Sequence, residues 1–279
     1  MKNFITRALT GIVFVAVLIS AIYIHSYYFL VVFGLITGLT LWEFYGLTLP
    51  KAQSHFNRLF CAIGGTYLFT ATFCYTHDLT GRWIFLPYLF FLLVTLVAPL
   101  YEKHGDPLKR WTVTLFGQFY CAGSFSLLNQ LTSVTGYPGE IVHIPYFALA
   151  LFVLIWLNDT GAYCIGSLLG KHRLFERISP KKSWEGFGGG LLFALLASQV
   201  FAYLLPAYSA IQWLGLAVVI VVFGTWGDLI ESLLKRQLGI KDSGHLLPGH
   251  GGMLDRFDSF LFAAPAAAAF YWIFWPNFF

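Results

Sequence analysis

The chain has 279 residues, of which 58% are hydrophobic, 19% aromatic and only 11% charged, with a mean hydropathy of +0.70. That apolar share is far above the soluble average, which excludes a water-soluble enzyme and points to an integral membrane protein. The net charge of +4 and pI near 8.8 fit loops facing anionic lipid, and no basic patch interleaved with aromatics points to nucleic acid.

Lys2 and Arg7 precede a first apolar run at residues 8–24. No small-residue cleavage site follows, so this run is expected to stay as an uncleaved span. The second span, residues 27–49, carries Gly34 and Gly38 at G-x-x-x-G spacing. Glu43 lies near its end, either interfacial or paired with a basic group. Further spans are expected at 59–75, 83–100 and 111–131, each near the length that crosses a bilayer core. A polar turn at 133–140 leads to a sixth span at 146–169. Two more follow at 188–205 and 211–229, joined through Pro206, and the last is at 257–275. The expected fold is therefore all-α: a polytopic membrane protein of about nine transmembrane helices in a single domain over 1–279. Residues 1–140 form the N-terminal spans and 141–279 carry the chemistry.

With the N-terminus in the cytoplasm, every Lys and Arg except Arg82 falls on the inner side, which sets the direction of the bundle. Cys61, Cys74, Cys121 and Cys164 all lie in apolar segments without C-x-x-C spacing. They read as packing residues, not as a zinc site or a disulfide framework.

The charged residues cluster in the second half. Asp159 follows Asn158 within an apolar helix, where a lone carboxylate costs about 2.5–3.5 kcal/mol on insertion scales. It implies a polar cavity or a cation partner, or else a cap on a broken helix at Thr160-Gly161. The segment 171–186 brings five basic residues, with Lys181 and Lys182 after a Ser179-Pro180 turn and before Ser183. Asp228 and Glu231 are three apart, so one helix face presents both, and Ser232 and Lys235 extend it by a turn. The stretch 232–258 then packs Lys235, Arg236, Lys241 and Arg256 among Asp242, Asp255 and Asp258, around Pro248-Gly249-His250-Gly251-Gly252. Basic groups recruit phosphate, carboxylates hold the magnesium that accompanies it, and a glycine turn lets backbone N–H groups approach a ligand. Asp228 and Asp255 lie at two helix ends and are the first candidates for metal ligands, with Glu231 and Asp258 next.

The pattern Ser232, Lys235-Arg236, Lys241-Asp242, Gly244, then Leu247-Pro248-Gly249-His250-Gly251-Gly252, Asp255-Arg256 and Asp258 resembles the signature of the phosphatidate cytidylyltransferase (CDP-diacylglycerol synthase) family. Asn158-Asp159-Thr160-Gly161-Ala162-Tyr163, Gly170-Lys171 and Ser179-Pro180-Lys181-Lys182-Ser183 with Glu185-Gly186 resemble it too. The likeness covers about the last 120 residues. It implies transfer of CMP from CTP to phosphatidic acid, giving CDP-diacylglycerol and pyrophosphate, in a homodimer that requires Mg²⁺, with a second cation as an option. On this resemblance Asp228, Asp255 and Glu231 serve the metal, and Asp258 orients or ligates. Lys235, Arg236, Lys241 and Arg256 bind triphosphate or lipid phosphate, helped by Lys181 and Lys182. Asp159, Ser183, Ser232, Gly251 and Gly252 line the substrates, and His250 either donates to phosphate or stabilises its turn. The expected location is a bacterial inner (plasma) membrane, with the site facing the cytoplasm. The rival reading is an ion-coupled transporter using Asp159 and Asp228; the absence of an evident inverted repeat stands against it.

Overall fold

The computed structural model describes residues 2–49, 55–101, 106–135, 141–244, 246 and 251–275. It is an all-α polytopic membrane protein. The helices are α1 (Lys2–Tyr23), α2 (Ser26–Thr48), α3 (His55–Thr76), α4 (Leu86–Val97), α5 (Pro107–Gly117), α6 (Ser124–Leu128), α7 (Tyr146–Leu169), α8 (Trp184–Leu204), α9 (Ala210–Gln237), α10 (Leu254–Phe257) and α11 (Phe260–Phe274). Two short antiparallel hairpins are present among the described residues. One pairs β1 (Ser133–Thr135) with β2 (Ile141–His143), and the other pairs β3 (Arg173–Phe175) with β4 (Ser179–Ser183).

Seven helical segments among the described residues are long and apolar enough to span a bilayer: Ser26–Thr48, His55–Thr76, Arg82–Tyr101, Tyr146–Leu169, Trp184–Leu204, Ala210–Gln237 and Leu254–Phe274. The first expected span contributes a shorter apolar stretch, Leu9–Tyr23. The fifth, expected as one helix over 111–131, is helical throughout but irregular. A π turn at Gln118–Gly123 separates α5 from α6, and a 3₁₀ turn follows at Asn129–Leu131. The π turn coincides with a buried amide. Gln118 Nε2 donates to Tyr45 Oη at 2.9 Å and to Cys61 O at 2.8 Å, while Tyr45 Oη donates to Thr114 O at 2.8 Å. A buried amide left without partners would cost about 1–3 kcal/mol, so hydrogen bonding outranks helical regularity here.

The chain forms two compact units. The first comprises residues 1–144 and 242–256, the second residues 145–241 and 257–279. In the first unit α2 packs on α3 through Phe29, Phe33, Phe69 and Phe73, all buried. Threonine hydroxyls in these helices donate to carbonyls one turn back, as Thr37 does to Phe33 O at 2.7 Å and Thr40 to Ile36 O at 2.8 Å. Each hydroxyl thereby finds an acceptor without water.

The second unit is built on the close pairing of α7 and α8. A Cβ at Gly161 would lie 2.8 Å from Gly189 O, and one at Gly186 would lie 3.0 Å from Ala162 O. The backbones therefore touch, as small residues allow in membrane helices. At one end of the unit Phe147, Trp213, Tyr271 and Trp275 form a buried aromatic cluster with ring centroids 4.8–6.0 Å apart. Gly189→Val is expected to destabilise the protein by about 1–3 kcal/mol through overpacking. Gly188→Ala meets nothing within 4 Å and should leave stability unchanged or slightly raised. Thermal unfolding of both variants in detergent checks the pair.

Candidate functional site

The packing of α7 against α8 leaves a polar cavity of about 580 Å³ in the second unit. Asn158, Asp159 and Tyr163 of α7, Lys181, Lys182 and Ser183 of β4, Asp228 of α9, and Arg173 and Ser259 all line it. Ser167 and Thr225 add hydroxyls, and Ala162, Leu174, Pro180 and Phe187 supply apolar wall.

The basic arm of the cavity is set by local hydrogen bonding. Residues 179–183, expected as a turn, form a strand instead; Arg173 pairs with Ser183 and Phe175 with Ser179, and the chain reverses in between. Ser183 then caps α8, its Oγ accepting from Gly186 N at 3.1 Å. Glu185, in the first turn of α8, ties down the base of the hairpin. Its carboxylate accepts from Lys171 N at 3.2 Å, from His172 N at 3.2 Å, and pairs with His172 Nδ1 at 2.6 Å. The strand alternation turns Lys182 inward and leaves Lys181 exposed.

Lys182 reaches α9, where its Nζ lies 2.5 Å from Asp228 Oδ2. Asp228 Oδ1 also accepts from Ser232 Oγ at 3.2 Å. One turn further along α9, Glu231 is fully buried and pairs with Lys235, Nζ to Oε2 2.5 Å. Asp258 completes the group. It lies within electrostatic range of Asp228, Glu231 and Asp159, and its Oδ1 accepts from Ser259 N at 2.5 Å. Carboxylates so crowded repel one another, and the two lysines offset only part of that repulsion. Removing one partner of a buried ion pair typically costs about 3–5 kcal/mol. Glu231–Lys235 falls under that rule, whereas Asp228–Lys182 is about a quarter exposed and is the more easily exchanged.

The donor set suits a hard divalent cation, being all oxygen. Among the described residues no three His, Cys, Asp or Glu side chains are grouped so as to hold a metal ion.

Residues Asp255, Arg256, Gly251 and Gly252 belong to the first unit, and His250 lies outside the described residues. Asp255 acts there as a knot. Its carboxylate accepts from Ser243 N at 2.9 and 3.1 Å and from Gly252 N at 2.9 Å. Gly251 has φ +86°, and a Cβ on it would lie 2.7 Å from Asp255 Oδ2. The turn therefore needs glycine for its backbone and for the approach of a carboxylate. Lys241 and Arg236 are exposed in the second unit beyond and at the end of α9, and Arg256 is exposed in the first.

Glu43 is the residue whose role sequence reasoning left open. Although remote in sequence, it is buried in the first unit, where its Oε2 accepts from Leu254 N at 2.9 Å and from Ser243 Oγ at 3.3 Å. A Cβ at Gly244 would lie 2.7 Å from its Oε1. A lone glutamate in an apolar helix was the signal, but nothing in its spacing names a partner some two hundred residues away. Glu43→Ala should leave those donors unpaired, a loss of about 1–3 kcal/mol. Amide hydrogen exchange at Ser243, Gly252 and Leu254 should then speed up by about tenfold or more, while Glu43→Gln, which keeps an acceptor oxygen, should change it less.

A model of the cytidylyltransferase family matches residues 5–274. The chain belongs to that family. Among its relatives, the phosphatidate cytidylyltransferase of Staphylococcus haemolyticus is 50% identical over 122 residues, which is 43% of this chain and 46% of the relative. The proteins of the same name from Staphylococcus epidermidis and Staphylococcus aureus are 52% identical over 121 residues and 48% over 122, with the same shares covered. The alignment thus spans less than half the length of these curated relatives. The cavity brings together lysines and an arginine, which suit phosphate, and carboxylates, which suit a cation.

Proposed function

We propose that this chain is a phosphatidate cytidylyltransferase, transferring CMP from CTP to phosphatidic acid within phospholipid biosynthesis. The observation that carries the reading is the Lys182–Asp228 pair lining a polar cavity in a largely apolar helical unit. The relatives bearing that name support the substrate assignment.

A phosphate oxygen of phosphatidic acid attacks the α-phosphorus of CTP, the bond from that phosphorus to the β-phosphate oxygen breaks, and pyrophosphate departs. The nucleophile is already anionic, so catalysis consists of aligning two repelling anions and neutralising their charge. Lys181, Lys182 and Arg173 bind phosphates in the cavity. Lys182 can leave Asp228 for a phosphate oxygen, which frees the Asp228 carboxylate as the substrate arrives. Asp228 would be the residue to hold Mg²⁺, with Glu231 one turn along α9 kept in place by Lys235. When bound, Mg²⁺ supplies positive charge against the developing charge on the leaving pyrophosphate. Asp258 and Asp159 keep the cavity polar and orient its donors. Asp255 fixes the turn at Gly251 and Gly252 in its own unit, and Lys241 and Arg236 are further phosphate contacts in the second. The hydrophobic exterior keeps the acyl chains of the lipid in the bilayer.

The positive-inside pattern supports a cytoplasmic N-terminus and a cytoplasmic site, bacterial relatives support a plasma-membrane location, and a homodimer is part of the same reading. Purified protein given α-labelled CTP, phosphatidic acid and Mg²⁺ should release pyrophosphate and label lipid. Asp228→Asn should lower that rate by about 10²–10³-fold, the usual cost of a lost electrostatic stabiliser, and Lys182→Met should lower it with a raised KM for CTP. A folded wild type that labels no lipid would sink the proposal.

A further inference from the structure

Glu185 does not line the cavity, yet the cavity's cations are mounted on a joint that it holds. Arg173, Lys181 and Lys182 all belong to the hairpin of β3 and β4. That hairpin leaves α7 at Gly170 and re-enters the bundle at Ser183, the cap of α8. Its two ends are fused. Trp184 N donates to His172 O at 2.9 Å, which extends the pairing of Arg173 with Ser183 by one step. A Cβ at Gly170 would lie 2.7 Å from Ser183 Oγ, so the chain leaving α7 touches the chain entering α8.

Glu185 closes this joint from the α8 side. An acid in the first turn of a helix ordinarily serves that turn's own N–H groups, but Ser183 Oγ already accepts from Gly186 N. The Glu185 side chain instead crosses to the chain leaving α7. There it accepts from Lys171 N at 3.2 Å and from His172 N at 3.2 and 3.3 Å, and meets His172 Nδ1 at 2.6 Å. Among the described residues it makes no ion pair with Arg173, Lys181 or Lys182. The carboxylate therefore fixes the backbone that carries these cations and leaves their charges to other anions. Arg173 directly follows His172, and Lys182 directly precedes Ser183. A shift at the joint reaches both side chains with almost no chain between to absorb it.

The two kinds of contact made by Glu185 differ in weight. The His172 side chain is 79% exposed, and an exposed ion pair competes with water and salt. Backbone N–H groups have no rotamer freedom to lose, and their bonds to an ionised acceptor are of the stronger kind. We propose that Glu185 is a positioning residue that sets the cavity's affinity for the triphosphate of CTP, acting through the backbone of Lys171 and His172. The inference rests on the reading of the cavity as a CTP site. Arg173 and the two lysines grip phosphates alike in the bound and reacting states, so loosening their mount is a loss of uniform binding, which raises KM and spares kcat.

The test uses the full-length protein in detergent and two measurements: binding of labelled CTP with Mg²⁺ in the absence of lipid, and steady-state transfer to phosphatidic acid. Glu185→Ala should weaken CTP binding and raise KM for CTP by about 10–100-fold, the usual cost of losing a group that orients a binding residue, with kcat little changed. Glu185→Gln keeps one acceptor oxygen and should fall between Glu185→Ala and wild type, and His172→Ala keeps both backbone donors and should stay near wild type. Amide exchange at Lys171 and His172 should quicken in Glu185→Ala while α8 beyond its first turn keeps its protection, which separates a loosened joint from an unfolded helix. Unchanged CTP binding in both Glu185 variants overturns the inference. So does a loss confined to kcat, or one that His172→Ala reproduces in full. A wild type that binds CTP but labels no lipid sinks the transferase reading alone, and one that binds no CTP sinks both.

Discussion

Ionised carboxylates inside an apolar bundle must be partnered, and this requirement governs both units. An unpaired charge in such surroundings costs several kcal/mol, more than most of the packing around it could offset. Asp228 meets the requirement with Lys182, Glu231 with Lys235, Glu43 with Leu254 N and Ser243 Oγ, and Asp255 with backbone N–H groups. The hairpin formed by Arg173–Phe175 and Ser179–Ser183, the cap at Ser183 and the clamp at Glu185 then serve one geometrical end: they deliver the Lys182 ammonium to α9.

The two kinds of partner have different consequences. Backbone N–H groups are fixed to the chain, so a carboxylate bound to them is a structural knot. Glu43 and Asp255 are of this kind, and together they hold Ser243, Gly252 and Leu254. An ammonium on a flexible stem can exchange its carboxylate for a phosphate at little cost, because one anion replaces another. Asp228–Lys182 is of this kind and lies at the cavity, partly exposed. Glu231–Lys235 is intermediate: it has an ammonium partner, yet its carboxylate is fully buried. On the proposed reaction it is therefore suited to stay in place while its neighbour on α9 exchanges.

Much of this was legible in the sequence because membrane spans depend on local composition. Segments such as Tyr146–Leu169 announce themselves by length and hydropathy alone. The family, too, could be read from the charged pattern between Asn158 and Asp258. What could not be read was whatever depends on a distant partner. Residues 111–131 read as one plain helix, and nothing local marks the π turn at Gln118–Gly123 within it, where the Gln118 amide reaches Tyr45 and Cys61 on other segments. The strand at 179–183 was hidden for a similar reason, since Ser-Pro-Lys-Lys-Ser has turn-like composition and pairs only because Arg173–Phe175 runs alongside. Glu43 is the extreme case: a single carboxylate whose meaning lies some two hundred residues away.

The glycines of the loop illustrate why a signature can be recognised before its physical sense is understood. Read alone, Gly251-Gly252 implies backbone approaching a ligand. In the folded unit Gly252 N donates to Asp255, and the space a Cβ on Gly251 would fill is taken by that same carboxylate. The glycines are thus required first by the protein's own acid. Any nucleotide they serve meets a loop already shaped by Asp255 and Glu43, with its N–H groups partly committed. This division follows from the chemistry of the groups. A turn that kept all its donors vacant in an apolar setting would carry the full cost of their desolvation whenever substrate was absent. Two internal carboxylates remove that cost at Ser243, Gly252 and Leu254 while leaving the exposed Arg256 to solvent and to whatever anion arrives.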